Sequence, residues 1–220
     1  MKKQNAYTIA DEIFMDALKV IDNNFKDIQY AIVGGGAVQV YVSSVTMKHA
    51  GLKAVNEING LSLMLRRTGD IDLSFDSDLA GILKLFNVII AQKAKKYLYH
   101  SFEKRFVMQN GMCRFNLNYQ TEPEDLKDIS SYYHDIIHSA ISVPLNDKNR
   151  VLNLKLARPE YLVVSKLTRI KPKDQVDIAL LLKAAELDGY PFDTEEVRSI
   201  LKSVKKEEGY DILLELMDNG

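Results

Sequence analysis

Apolar residues recur at helical spacing near the start of the chain, where Ile9, Ile13, Ala17 and Ile21 fall four apart with Phe14 and Leu18 beside them. Thr8 is the N-cap this pattern predicts, with acidic Asp11 and Glu12 in the first turn. The apolar run over residues 28–33 predicts a short buried strand. Gly34, Gly35 and Gly36 end it, and a second helix is expected from Ala37 to about Met47. Residues 51–64 show no clear period and read as a loop with some helix. From Asp70 to Phe75 polar and apolar residues alternate, which predicts a strand with Asp70 and Asp72 on one face and Ile71, Leu73 and Phe75 on the other.

Ser77 and Asp78 cap a predicted helix over 79–97, whose core face holds Leu83, Phe86, Ile90 and Ala94. Strands over 102–108 and 112–119 flank Asn110-Gly111, a strong hairpin signal. A polar loop with Pro123 leads into a helix near Tyr132. A second hairpin joins strands over 140–145 and 151–156 through Asn146, Asp147, Lys148 and Asn149. Beyond Pro159, itself suited to a first helical position, everything reads as helix. Breaks fall at Lys171-Pro172 and Gly189, and Asp193 opens a further helix. The pattern as a whole is α+β, with a mixed core over residues 1–157 and a helical region over 158–220 packed on it.

A chain of 220 residues, 46% hydrophobic and 27% charged, is ample for a real core. The net charge of -1 excludes a polycationic binder. Cys113 is the only cysteine, so no internal disulfide can form, and a buried small hydrophobe is the expected role in its strand-like setting. Asp11 and Glu12 precede any apolar stretch of signal length, and no 18-residue apolar run exists. A cytoplasmic protein without a membrane partner is expected.

Two carboxylates on one strand face repel unless a cation or a proton lies between them. Hard oxygen donors suit Mg²⁺ or Mn²⁺, usually with substrate phosphates completing the shell. An isolated D-x-D is more often two solvated side chains. The glycine run is likewise more often a tight turn than a ligand site, and it matches no named phosphate loop, since Gln39 stands where a third Rossmann glycine would fall. His134 and His138, four apart, lack a third ligand nearby and read as exposed or core-edge residues. Lys93, Lys95, Lys96, Lys104 and Arg105, interleaved with Tyr97, Tyr99 and Phe102, form the strongest basic patch, which reads first as a solvated surface.

Taken in order, strand, Gly34-Gly35, helix, then Arg66-Arg67-Thr68-Gly69-Asp70-Ile71-Asp72-Leu73 resembles the nucleotidyltransferase superfamily, and within it the AbiE-toxin type. Lys166, Arg169, Lys173-Asp174 and Asp177 match the carboxy-terminal half of that pattern, so the resemblance spans about residues 28–185. It implies a polymerase-β-like mixed sheet with a helical carboxy-terminal half. It implies metal-dependent transfer of a nucleotidyl group from a nucleoside triphosphate to a hydroxyl, with tRNA or a protein as acceptor. It further implies the toxin of a bacterial toxin-antitoxin or phage-defence pair, with an antitoxin partner.

Within that resemblance Asp70 and Asp72 are the metal ligands and catalytic carboxylates. Gly34 and Gly35 receive the triphosphate with Arg66, Arg67, Thr68 and Arg169. Lys166 offsets its charge, and Asp177 either orients Lys166 or assists deprotonation of the acceptor. One departure stands out: Asn116 and Asn118 occupy the strand where many superfamily members place a third carboxylate. That leaves a binding protein without turnover as one alternative, and a transferase acting on small molecules of aminoglycoside type as another.

Overall fold

A computed structural model of the chain describes residues 12–49, 70–75, 84, 97–100, 105–108, 114–119, 127–147 and 150–218. The helices are α1 (Glu12–Asn24), α2 (Gly34–Lys48), α3 (Lys127–His138), α4 (Pro159–Leu167), α5 (Pro172–Asp188), α6 (Thr194–Ser203) and α7 (Gly209–Asp218). The strands are β1 (Tyr30–Val33), β2 (Asp70–Phe75), β3 (Tyr97–His100), β4 (Arg105–Met108), β5 (Arg114–Tyr119), β6 (Ile141–Asp147) and β7 (Arg150–Leu156). Among the described residues these strands form one mixed sheet in the order β3-β4-β5-β2-β1-β7-β6.

β2 lies near the middle of that sheet, antiparallel to β1 and parallel to β5, with Asp72 opposite Val33 on one side and Asn116 on the other. Ile71, Leu73 and Phe75 are buried as expected, Asp72 between them is half-buried, and Ser74 on the Asp72 face is buried as well. Phe75 and Tyr30 meet Phe25 edge-on, at ring separations of 5.5 and 5.3 Å, and anchor the strand pair to the end of α1. The second hairpin forms, with its strands running on through Asn146-Asp147 and from Arg150 into the expected turn, and with Pro144 on β6 at the sheet edge, where a missing N–H is tolerated.

Several boundaries differ from the sequence reading. α2 begins at Gly34, not Ala37, so the glycines form its first turn. Tyr97 closes no helix; Tyr97–His100 pairs with Arg105–Met108 as a strand, and the strand expected from residue 102 starts at Arg105. The β-branched and aromatic preference of such a segment is expressed only when a neighbouring strand is present. β1 likewise starts at Tyr30. Thr8, Cys113 and Asn110-Gly111 lie outside the described residues.

α2 is buried almost all round, from Gly36 through Val45, because it lies between the sheet and α5. A helix apolar on every side is stable only in such a position. The carboxy-terminal helices join the same core: Leu162, Leu180, Leu201 and Leu213 belong to one hydrophobic cluster with Ile32, Val38 and Leu73. Among the described residues no helix is long and apolar enough to cross a membrane.

Candidate active site

Gly34 opens α2 in a left-handed conformation, φ 65°, which glycine adopts without steric strain. The preceding Val33 provides no side-chain cap, and no acidic residue stands in the first turn of α2 itself. Asp72 fills the space beside it. A Cβ on Gly34 would lie 2.3 Å from Asp72 Oδ2, closer than any real contact. The strand carboxylate and the glycine backbone are therefore in direct apposition.

One cleft of about 650 Å³ opens at this junction, a size ordinary for small-ligand sites. Val33, Gly34 and Asp72 form one part of its lining. Tyr132, Tyr133 and Ile136 of α3 form another, followed by Tyr161, Leu162, Ser165, Thr168 and Arg169 on and just after α4. Ser203, Val204, Lys205 and Lys206, between α6 and α7, complete it. Tyr132 packs against Tyr133 and Tyr161 at ring separations of 5.5 and 5.7 Å, and its hydroxyl donates to Tyr161 O at 3.2 Å. Burial pushes the phenols of all three tyrosines up, and at Tyr133 the charge of Asp72 adds to the effect. They remain protonated hydrogen-bond donors at neutral pH.

Lys166 lies behind this wall, outside the cleft lining. Tyr161, Leu162 and Ser165 of α4 line the cleft, whereas Lys166 is not among its lining residues and meets α5 instead. Its ammonium is 3.3 Å from Asp174 Oδ1 and pairs directly with Asp177, and the side chain is only 2% exposed. Asp174 is fully buried and also receives Arg169 at 3.2 Å and the Lys171 N–H at 3.2 Å. Burial raises the Asp174 pKa, but the nearby Lys166 and Arg169 charges and these hydrogen bonds outweigh it and hold the carboxyl below its ordinary range.

Of the residues expected to act, the structure brings Gly34, Asp72 and Arg169 to the cleft, with Gly35 next along α2. Asp70 is two positions before Asp72 on β2, opposite Arg114 of β5. Lys166 and Asp177 pair with each other one layer back. Arg66, Arg67 and Thr68 lie outside the described residues. The tyrosine wall and Lys205-Lys206 were absent from the sequence reading. The one available signal was the pairing of adjacent tyrosines at 132 and 133 with apolar Ile136 and Ile137 on an amphipathic helix.

His134 and His138 stack at 4.1 Å on the exposed face of α3. Among the described side chains, which do not include that of Asp70, no three His, Cys, Asp or Glu groups cluster to hold a metal ion. The donors present at the cleft nonetheless fit a hard divalent cation. Asp72 supplies carboxylate oxygen where the missing Cβ of Gly34 leaves room, and Asp70 stands two positions before it on the same strand.

The fold is a mixed α+β sheet with a glycine-led helix beside a central acidic strand. It is shared by a solved structure, an antigenic nucleotidyltransferase-like protein from Paracoccidioides brasiliensis, over 94% of each chain at a TM-score of 0.50 and 16% sequence identity. No protein-family model and no curated protein sequence matches the chain.

Proposed function

We propose that the protein is a metal-dependent nucleotidyltransferase that moves a nucleotidyl group from a nucleoside triphosphate to a hydroxyl, acting as the toxin of an AbiE-type toxin-antitoxin or phage-defence pair. The observation that carries this reading is the apposition of Asp72 to Gly34 at the mouth of a nucleotide-sized cleft, on a fold shared with a nucleotidyltransferase-like protein. In the reaction an acceptor oxygen attacks the α-phosphorus, the bond to the bridging oxygen of the β-phosphate breaks, and pyrophosphate leaves with that electron pair. The proton of the acceptor hydroxyl passes to a carboxylate.

Asp72 and Asp70 would hold Mg²⁺ or Mn²⁺. Such an ion, when bound, neutralises phosphate charge and eases loss of the acceptor proton. Gly34 and Gly35 add no side chain of their own at the start of α2, so phosphate oxygens bridged to Asp72 by the metal ion would reach the helix N-terminus. Arg169 supplies a cation within the cleft, and Arg66, Arg67 and Thr68 are assigned to the same polyphosphate. Lys166 acts through Asp174 and Asp177, fixing α5 against α4 and the charge balance behind Arg169. The acceptor is a tRNA or a protein hydroxyl, and an antitoxin protein is the expected partner.

A second reading rests on Asn116. It is the register partner of Asp72, on the strand where, with Asn118, the resemblance would put a third carboxylate, which supports a nucleotide-binding protein without turnover. One experiment separates the two. The protein is incubated with α-labelled nucleoside triphosphates, Mg²⁺ or Mn²⁺, and total tRNA or cell protein. Label transfer with pyrophosphate release that vanishes in folded Asp72→Asn supports the transferase, and binding without release in every combination supports the second reading. Absence of any nucleotide binding sinks both.

A further inference from the structure

Lys205 occupies a position that helices usually give to glycine. At the end of α6, Val204 has φ −93° and Lys205 has φ 57°. The Lys205 N–H donates to Lys202 O at 3.1 Å and the Lys206 N–H to Leu201 O at 2.8 Å. These are the paired bonds of a left-handed helix closure. The chain makes the same closure at the end of α5, and there the left-handed residue is Gly189, φ 66°, with N–H bonds from Gly189 to Glu186 O at 3.1 Å and from Tyr190 to Ala185 O at 2.9 Å.

The two closures differ in surroundings. Gly189 has nothing within 4 Å of where a Cβ would lie, and it is not part of the cleft. Lys205 lines the cleft that holds Asp72 and Gly34, together with Lys206 and Arg169. A lysine in left-handed backbone carries a steric penalty that glycine avoids. Helix-end electrostatics do not call for it, since Lys202 already stands in the last turn of α6. An outlier of this kind at the rim of a site points from strain to function.

We infer that Lys205 is a ligand-positioning residue: its turn forgoes glycine so that an ammonium, with those of Lys206 and the guanidinium of Arg169, receives the polyphosphate of a nucleotide whose reacting end lies at Asp72. The inference deepens the nucleotide reading above and rests on it for the identity of the occupant. The cationic rim and the tyrosine wall together match a ligand with a planar ring and an anionic tail.

The test uses Lys205→Gly, Lys205→Asn and Lys205→Arg in the full chain, with inorganic tripolyphosphate and each nucleoside triphosphate with Mg²⁺ as probes in calorimetry. Lys205→Gly is expected to keep a thermal midpoint no lower than the parent, because left-handed strain is relieved. Both uncharged variants are expected to bind tripolyphosphate and nucleotide about tenfold or more weakly, the usual effect of losing a charged hydrogen bond. Lys205→Arg is expected to stay near the parent.

Unchanged binding of both probes to Lys205→Gly overturns the inference. So does a loss confined to RNA with triphosphate binding intact, which would give the rim to the acceptor instead. A parent protein that binds tripolyphosphate in a Lys205-dependent way but binds no nucleotide sinks the nucleotide reading and leaves the polyphosphate clasp. A parent that binds neither sinks both.

Discussion

Gly34 and Asp72 occupy the same space in the sense that matters for function: the position a Cβ at 34 would take is 2.3 Å from Asp72 Oδ2. Gly34→Ala must therefore expel the carboxylate or shift the start of α2, and it must also hold alanine at φ 65°. The strain alone is about 1–2 kcal/mol. Gly189→Ala provides the reference, because position 189 has the same backbone conformation with nothing within 4 Å. Urea unfolding should show Gly34→Ala to be the more destabilised of the two, and only Gly34→Ala should lose affinity for nucleotide with Mg²⁺. Equal effects in both assays would remove Asp72 from the explanation.

The ion cluster behind the cleft predicts a different failure. Lys166→Met leaves the fully buried Asp174 and the nearly buried Asp177 without the cation they share, although Arg169 still reaches Asp174. Breaking a buried pair from one side typically costs about 3–5 kcal/mol. Adding Asp174→Asn to Lys166→Met should restore part of that loss. Denaturant midpoints of the two single variants and the double variant check it, and strict additivity would contradict the coupling.

What was legible in the sequence was whatever depends on neighbours along the chain. The alternation from Asp70 to Phe75 and the glycines between β1 and the body of α2 are local signals, and the strand and the helix follow from them. The α+β class and the helical carboxy-terminal half were readable on the same ground. The separation of Lys166 from the cleft was not, because burial depends on how α4 rotates against α5 and not on the spacing of charges. Lys205, Lys206 and the tyrosines of α3 reach the cleft from segments about 60 to 170 residues away from Asp72 or Gly34, contacts no local pattern encodes. The expected helix over 79–97 overran into Tyr97 because the strand character of Tyr97–His100 depends on Arg105–Met108 lying beside it.

Glu160 ties the start of α4 to the α5–α6 connection. It is fully buried, accepts from the Tyr190 hydroxyl at 2.9 Å and the Asp193 N–H at 3.2 Å, and has Arg158 at 3.3 Å. Arg158 also pairs with Glu196 on α6. Arg158→Met leaves a buried carboxylate with neutral donors only, and a loss of about 3–5 kcal/mol is expected. Tyr190→Phe removes one donor and leaves the ion pair, so about 1–3 kcal/mol is expected. Thermal unfolding of the two variants should rank them in that order, and the reverse ranking would place the hydroxyl above the ion pair.

Asp174 gives the fold a specific acid sensitivity. Its folded pKa lies below the ordinary 3.8 because the Lys166 and Arg169 charges and its hydrogen bonds outweigh the effect of burial. The unfolded chain, with its higher pKa, therefore binds the proton more readily than the folded one. A depressed carboxyl contributes stability that is present in full above the unfolded pKa and is lost as pH falls through the folded value. In Asp174→Asn that contribution is absent at every pH. The difference in unfolding free energy between parent and variant should be constant above about pH 5 and shrink steadily below about pH 4. Urea midpoints collected across that range test it directly. A difference that does not change with acid would mean that Asp174 keeps its charge equally well in both states, so that Lys166 and Arg169 do not stabilise it through its ionisation.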